Sequence, residues 1–245
     1  MRNKLGVITG GTKGIGAGIS RMLLCQGYDI IVTYCNDEIT ANAFLEQSKR
    51  DFPTNKVTVL KIDNGDYLQI TKLVRYISEQ KEINCIVCNA GVTLRKSFQE
   101  ISNNDWLTVM NANLNNNMFL IRDLYPYIPE NSRIIFIGSM MAVHPHGTSL
   151  AYGVSKSALH SLALNLVKVF EGTGTTVNVI APGFVETEWQ KTKPEEIRQN
   201  IYRKTAVKRF ASVEEIADAV KFCLNNPFVN GSIIEVSGGY DFKWS

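Results

Sequence analysis

The chain has 245 residues, of which 44% are hydrophobic and 20% charged, and it carries a net charge of +3. That length buries a substantial core and suits a single α/β domain, while so small and evenly spread a charge argues against a nucleic-acid partner. The opening MRNKLGVITGG reaches glycines after only a few apolar residues, unlike a secretory leader or a membrane span, so a cytoplasmic protein that does not enter membranes is expected.

Leu5–Thr9 reads as a short buried strand that runs into the glycines of TGGTKGIG. An amphipathic helix opens there and continues to about Gln26, with Ile15, Ile19, Met22 and Leu23 on one stripe. A first strand, a glycine loop and a helix start together make a pyrophosphate cradle. Gly10, Gly14 and Gly16 supply a tight turn, close backbone approach and close packing, and the helix start adds free N–H groups. Thr12, Lys13 and Ile15 share that loop and are assigned to a dinucleotide with the glycines.

The second strand, Tyr28–Tyr34, ends at Tyr34, Cys35 and Asn36, where an acid would bind the 2′-hydroxyl of NAD. The first acids, Asp37 and Glu38, come later, and Lys13 offers a cation. NADP(H) is therefore expected over NAD, against the alternative that Lys13 is simply solvated. A helix over Glu38–Arg50 leads to a strand over Lys56–Ile62 that ends in Asp63 and Asn64. A helix over Tyr67–Gln80 leads to the strand Ile83–Cys88, which ends in Asn89, Ala90 and Gly91. Both endings fall on the carboxyl edge, where open α/β sheets bind ligands. Cys85 and Cys88 form a C-x-x-C inside this strand, but positions i and i+3 of a strand face opposite ways. With five scattered cysteines in all, reduced core thiols explain them better than a metal or redox pair, and no metal site is expected.

A long helix from about Asn104 to Tyr125 contains Asn111, Asn113, Asn115, Asn116 and Asn117. Asn is a poor helix former, so some of the run should have side-chain partners while most should be solvated. The strand Arg133–Ile137 delivers Gly138 and Ser139. The next helix carries Tyr152 and Lys156 and runs to about Phe170. Leu159, Leu162, Leu166 and Val169 form one stripe of it, and Ala151, Ser155, Ala158 and Ala163 form a flank of small residues. Residues at i and i+4 share a helix face. A cation there would lower a phenol that ordinarily titrates near ~10, suiting it to proton transfer, and Ser139 could hold the oxygen being protonated. Taken alone, an ordinary surface Tyr–Lys pair is the better explanation.

The strand Thr176–Ile180 ends in Ala181, Pro182 and Gly183. Glu186–Lys208 is polar, with weak periodicity, and reads as a mobile helical lid. A helix over Val213–Leu224 follows Ser212, with Glu215 completing a capping box, and Gly231–Ser237 gives a last strand. Seven strands alternating with helices predict an α/β fold. Residues 1–245 would form one domain, a doubly wound (Rossmann) seven-stranded parallel sheet with helices on both faces.

With these motifs placed, the chain resembles the short-chain dehydrogenase/reductase family over essentially its whole length. TGGTKGIG, CNAG (Cys88 replacing the usual first Asn), Asn113-Leu114, Ser139, Tyr152 with Lys156, and APGFVET carry the likeness in order. APGFVETE, VKRFASVEEIADAV and NGSIIEVSGGY are most similar to the family's bacterial 3-oxoacyl-acyl-carrier-protein reductases. The resemblance implies Asn113, Ser139, Tyr152 and Lys156 as a catalytic tetrad, with Tyr152 and Lys156 also touching the cofactor. Asn113 would hold a water linking Lys156 to solvent, and Pro182, Gly183, Val185 and Thr187 would lie beside the nicotinamide. It further implies NADPH-dependent reduction of a 3-oxoacyl thioester in fatty acid biosynthesis, by a homotetramer.

Two departures leave the carrier open between acyl carrier protein and CoA. LYPYIPENSRII is short and weakly basic, and Thr173 stands where an Arg is common. The runner-up is an NADP(H)-dependent reductase of another ketone or alcohol (acetoacetyl-CoA, a sugar or a steroid), and a third reading is a cofactor-sensing protein without turnover. His144 and His146 are expected to contact substrate rather than catalyse. Phe184 and Trp189 either shape an acyl pocket or simply pack.

Overall fold

Short runs of Val and Ile that end in glycines or polar turns suit strands buried on both faces. A computed structural model describes residues 3–79, 82–145, 149–240 and 242, the side chain of Trp189 excepted. It contains the seven strands β1 (Leu5–Ile8), β2 (Asp29–Tyr34), β3 (Val57–Lys61), β4 (Cys85–Cys88), β5 (Arg133–Ile137), β6 (Thr176–Pro182) and β7 (Ile233–Val236). They form one sheet in the order β3-β2-β1-β4-β5-β6-β7, with every pair parallel. The order reverses between β1 and β4, and it is outside such a switch point, at the carboxyl ends, that open sheets hold ligands.

Alternation along each strand divides the core in two. Ile8, Val32, Val87, Ile135 and Ile180 face one way. There they meet Ile19 and Leu23 of α1 (Gly14–Cys25), Phe44 of α2 (Glu38–Asp51) and Val220 of α9 (Val213–Asn225). Val7, Ile31, Ile86, Ile134 and Val179 face the other way, onto Leu73 of α3 (Tyr67–Ser78), Leu120 of α5 (Asn116–Leu124) and Leu159 of α6 (Leu150–Val169). Cys85 belongs to the first cluster and Cys88 to the second. The two thiols therefore diverge, and burial pushes each up to about 12.

The long helix expected over Asn104–Tyr125 is interrupted. α4 (Asn103–Met110) passes into a π-turn at Asn111–Asn115 before α5 begins. The asparagines explain the break and correct their assignment as mostly solvated, because Asn113, Asn116 and Asn117 are buried. Asn64 Nδ2 donates to the Ala112 carbonyl at 2.6 Å, and Asn117 Nδ2 donates to the Asn113 carbonyl at 2.8 Å. Asn116 Nδ2 reaches back to the Asn64 carbonyl at 2.8 Å. Side-chain amides thus satisfy carbonyls at the turn, which otherwise would be buried without partners.

On α6, Val169 is 52% exposed, so it leaves the apolar stripe on which it was placed. The polar stretch after β6 folds into α7 (Glu188–Lys191) and α8 (Glu195–Lys204). Arg198 fastens α8 to the chain leaving β6: its guanidinium grips both carboxylate oxygens of Glu186, at 3.1 and 2.6 Å, and lies 4.7 Å from the centre of the Phe210 ring. No helix among the described residues is long and apolar enough to cross a membrane.

Candidate active site

The carboxyl edge holds a cavity of about 560 Å³. The glycine loop contributes Gly10, Thr12, Lys13, Gly14, Ile15 and Gly16 to its wall, and the end of β2 contributes Tyr34, Cys35 and Asn36. The turns after β3 and β4 add Asp63, Asn64, Asn89, Ala90 and Gly91, and Thr187 closes one side. At Gly16 a Cβ would collide with the Gly10 carbonyl, and with Asn89 Nδ2 at 2.7 Å, so only glycine lets helix and loop meet. Asn89 Nδ2 donates to the carbonyls of Thr9 and Gly10, both at 3.0 Å. The amides of Asn89 and Ala90 in turn donate to Thr9 Oγ1 at 3.0 Å. This lattice fixes the loop before any ligand arrives.

Three other sequence-predicted cofactor residues sit apart from that wall. Pro182 ends β6, Gly183 packs on Ser237 and Val185 is buried in the core. The reading of the β2 corner also needs correction. Asp37 does reach it: its carboxylate caps α2 through the Thr40 amide and pairs with Lys13 Nζ at 3.0 Å. That bond to Lys13 is the main reason the Asp37 carboxyl sits below its usual range. The cation expected for a 2′-phosphate is therefore shared with an acid of the chain.

Ser139, Tyr152 and Lys156 converge at the ends of β5 and α6. The Tyr152 phenol shares a hydrogen bond with Ser139. Burial holds the phenol above its ordinary value, and only the Ser139 bond opposes that. The expected lowering by Lys156 does not follow from this geometry. Lys156 Nζ lies 5.8 Å from the centre of the Tyr152 ring and donates to the Ile137 carbonyl at 2.7 Å. Lys156 is itself buried, and desolvation brings it down to about 8. A Cβ on Gly91 would come within 3.6 Å of Lys156 Nζ and 2.9 Å of Asn113 Oδ1, so these two side chains abut the cavity at that glycine.

Asn113 is buried in the π-turn. Its Oδ1 accepts the Val92 amide at 2.8 Å. Its Nδ2 donates to the Val92 carbonyl and to Ser155 Oγ, both at 2.9 Å. Both amide protons are committed, so the side chain ties the loop after β4 to α6. His144 turns toward Glu235, with Nε2 3.5 Å from its carboxylate. His146 and the Trp189 side chain lie outside the described residues. Phe184 stacks on Phe210 at 5.9 Å and meets Tyr240 at 5.7 Å, a packing role.

A family model described as enoyl-(acyl carrier protein) reductase matches residues 10–241. Solved structures of similar fold include a short-chain dehydrogenase/reductase from Serratia marcescens, 27% identical with a TM-score of 0.91 over 98% of both chains. This chain belongs to the short-chain dehydrogenase/reductase family. Another similar structure is a blue fluorescent protein from a metagenomic library in complex with NADPH. It is 28% identical, with a TM-score of 0.90 over 96% of this chain and 97% of that one. Among curated relatives, the acetoacetyl-CoA reductase of Allochromatium vinosum is 28% identical over 96% of this chain and 98% of its own length. The 3-oxoacyl-(acyl-carrier-protein) reductase FabG of Aquifex aeolicus is 29% identical over 98% of both.

Within this family member, sequence reasoning gave no site contact to Thr9, Asp37 or Ser155. Thr9 closes β1 just before the glycines, and Ser155 stands between Tyr152 and Lys156, so position alone could have drawn attention to both. Asp37 acts through side-chain direction, for which the sequence carries no signal.

Proposed function

We propose that this short-chain dehydrogenase/reductase is an NADPH-dependent reductase that converts a 3-oxoacyl thioester into the 3-hydroxyacyl thioester. One observation carries the reading: buried Lys156, with Tyr152 and its bonded partner Ser139 beside it, abuts the glycine-loop cavity at Gly91. The donor set of that cavity suits a dinucleotide. Amides at Gly14–Gly16 would take the pyrophosphate, the Tyr34–Asn36 corner with Asp63 and Asn64 the adenosine, and Asn89–Gly91 with Thr187 the remainder. When bound, the nicotinamide supplies the hydride.

The residues of the chain do the rest. Ser139 Oγ orients the ketone oxygen. Tyr152, kept neutral by burial, donates its hydroxyl proton as negative charge develops on that oxygen. Lys156, one helical turn away, would hold the nicotinamide ribose. Pro182, Gly183 and Val185 would contribute backbone beside the nicotinamide. Residues 186–208 would close as a lid, braced within itself by the Arg198–Glu186 pair. The relatives' names support a thioester on acyl carrier protein or CoA, in fatty acid biosynthesis. We further propose a single-domain cytoplasmic enzyme working as a homotetramer.

The deciding experiment follows NADPH absorbance with acetoacetyl-CoA, then with NADH as the reductant. Rapid NADPH-dependent turnover is expected. Turnover only with other carbonyls would shift the reading to another ketone reductase, and tight NADPH binding with no turnover on any carbonyl would replace it with a sensing role.

A further inference from the structure

Ser139 is the second residue beyond the β5 ladder, and its buried backbone N–H points away from the cavity toward α6. His160 Nε2 accepts that N–H at 3.4 Å. The imidazole reaches it only because residue 138 is glycine: a Cβ there would lie inside the ring, with Cδ2 at 2.7 Å and Val179 Cγ1 also at 2.7 Å. His160 is 5% exposed and stands one turn beyond Lys156 on the same helix face. We propose that His160 is a positioning residue for Ser139, its neutral imidazole fixing the serine backbone so that the hydroxyl meets both Tyr152 and the ketone oxygen.

Three features support this. Burial beside the Lys156 ammonium holds His160 down to about 4, with Glu235 opposing, so Nε2 keeps its lone pair at neutral pH. With Nε2 accepting, the ring proton must sit on Nδ1, which fixes the tautomer. Gly138, Ser139 and His160 are also matched sterically, since the space the imidazole uses is the space a side chain at 138 would need. A protonated ring would present an N–H to the Ser139 N–H and push the loop away, toward the catalytic groups.

The inference rests on the reductase reading, so its test has one arm that does not depend on turnover. His160→Leu removes the acceptor at similar volume. His160→Gln restores an amide oxygen at the reach of Nε2. Hydrogen exchange of peptides spanning Ile137–Met141 reports the Ser139 amide, while kcat, KM and NADPH affinity report the site. For His160→Leu we expect exchange at Ser139 at least about tenfold faster. Its kcat should fall about tenfold, the size of one lost hydrogen bond, with KM and NADPH affinity within about twofold. His160→Gln should recover most of both losses. Unchanged exchange and kcat in the Leu variant would overturn the proposal, as would a Gln variant as impaired as Leu, which would mark a packing role. If the wild-type protein reduces no ketone, the reductase reading fails and the exchange arm alone decides whether His160 holds Ser139.

Discussion

At the residue scale, burial acts on each of the groups proposed as catalytic. The Tyr152 phenol is raised by desolvation, whereas burial lowers Lys156 to about 8, and each shift favours the neutral form of its group. At neutral pH that leaves Tyr152 protonated and Lys156 mostly charged, an acid beside a cation, as the proposed reduction of a ketone requires. Tyr152→Phe removes only the hydroxyl. It should lower kcat by about 10³-fold, within the range for a lost general acid, and leave NADPH affinity within about threefold. Steady-state rates and a fluorescence titration check both; retention of most of kcat would remove Tyr152 from the reaction. The pair was legible because its i, i+4 spacing follows from helix geometry. Asp37 was not, because its bond to Lys13 spans two elements and depends on which way α2 begins. Nor was the committed state of Asn113, whose partners come from Val92 and Ser155.

At the scale of elements, the decisive feature is the π-turn between α4 and α5. Apolar periodicity over residues 104–125 predicts an unbroken helix, and the asparagines that break it look from sequence like a solvated face. Their partners lie on another element: Asn64 belongs to the turn after β3, 48 residues before Ala112. Long-range polar contacts of this kind leave no trace in local periodicity. The same network joins the cavity wall at Asn64 to the turn that presents Asn113. Asn117→Val would leave the buried Asn113 carbonyl without its 2.8 Å donor. An unsatisfied buried group costs about 1–3 kcal/mol, and a domain of this size shifts by about 2–4 °C per kcal/mol. The thermal midpoint should therefore fall by roughly 3–10 °C. An unchanged midpoint in a scanning calorimetry trace would show that the amide contributes nothing to holding the turn.

At the scale of the whole molecule, the parallel sheet and the edge that carries the site were readable because parallel sheets obey strong topological rules. Glycine and polar turns at the ends of β1, β3, β4 and β5 all fall on one edge once the strands are parallel. The case for association between copies rests on a different pattern. On α6, Leu150 is 41% exposed, Val154 42% and Leu164 41%. At 100° per residue these three fall within about 80° of one another, with Ser157 and Ser161 between them. An apolar stripe with small residues at its centre suits close packing of α6 against a second copy, and Leu107 of α4 is exposed as well. If the chain is a homotetramer, four chains of 27.4 kDa give about 110 kDa by sedimentation at micromolar concentration. Leu150→Glu with Leu164→Glu places charges in that stripe and should shift the species toward dimer or monomer while circular dichroism stays unchanged. A wild-type protein sedimenting as a monomer would remove the tetramer, and a double variant of unchanged mass would move the interface away from α6.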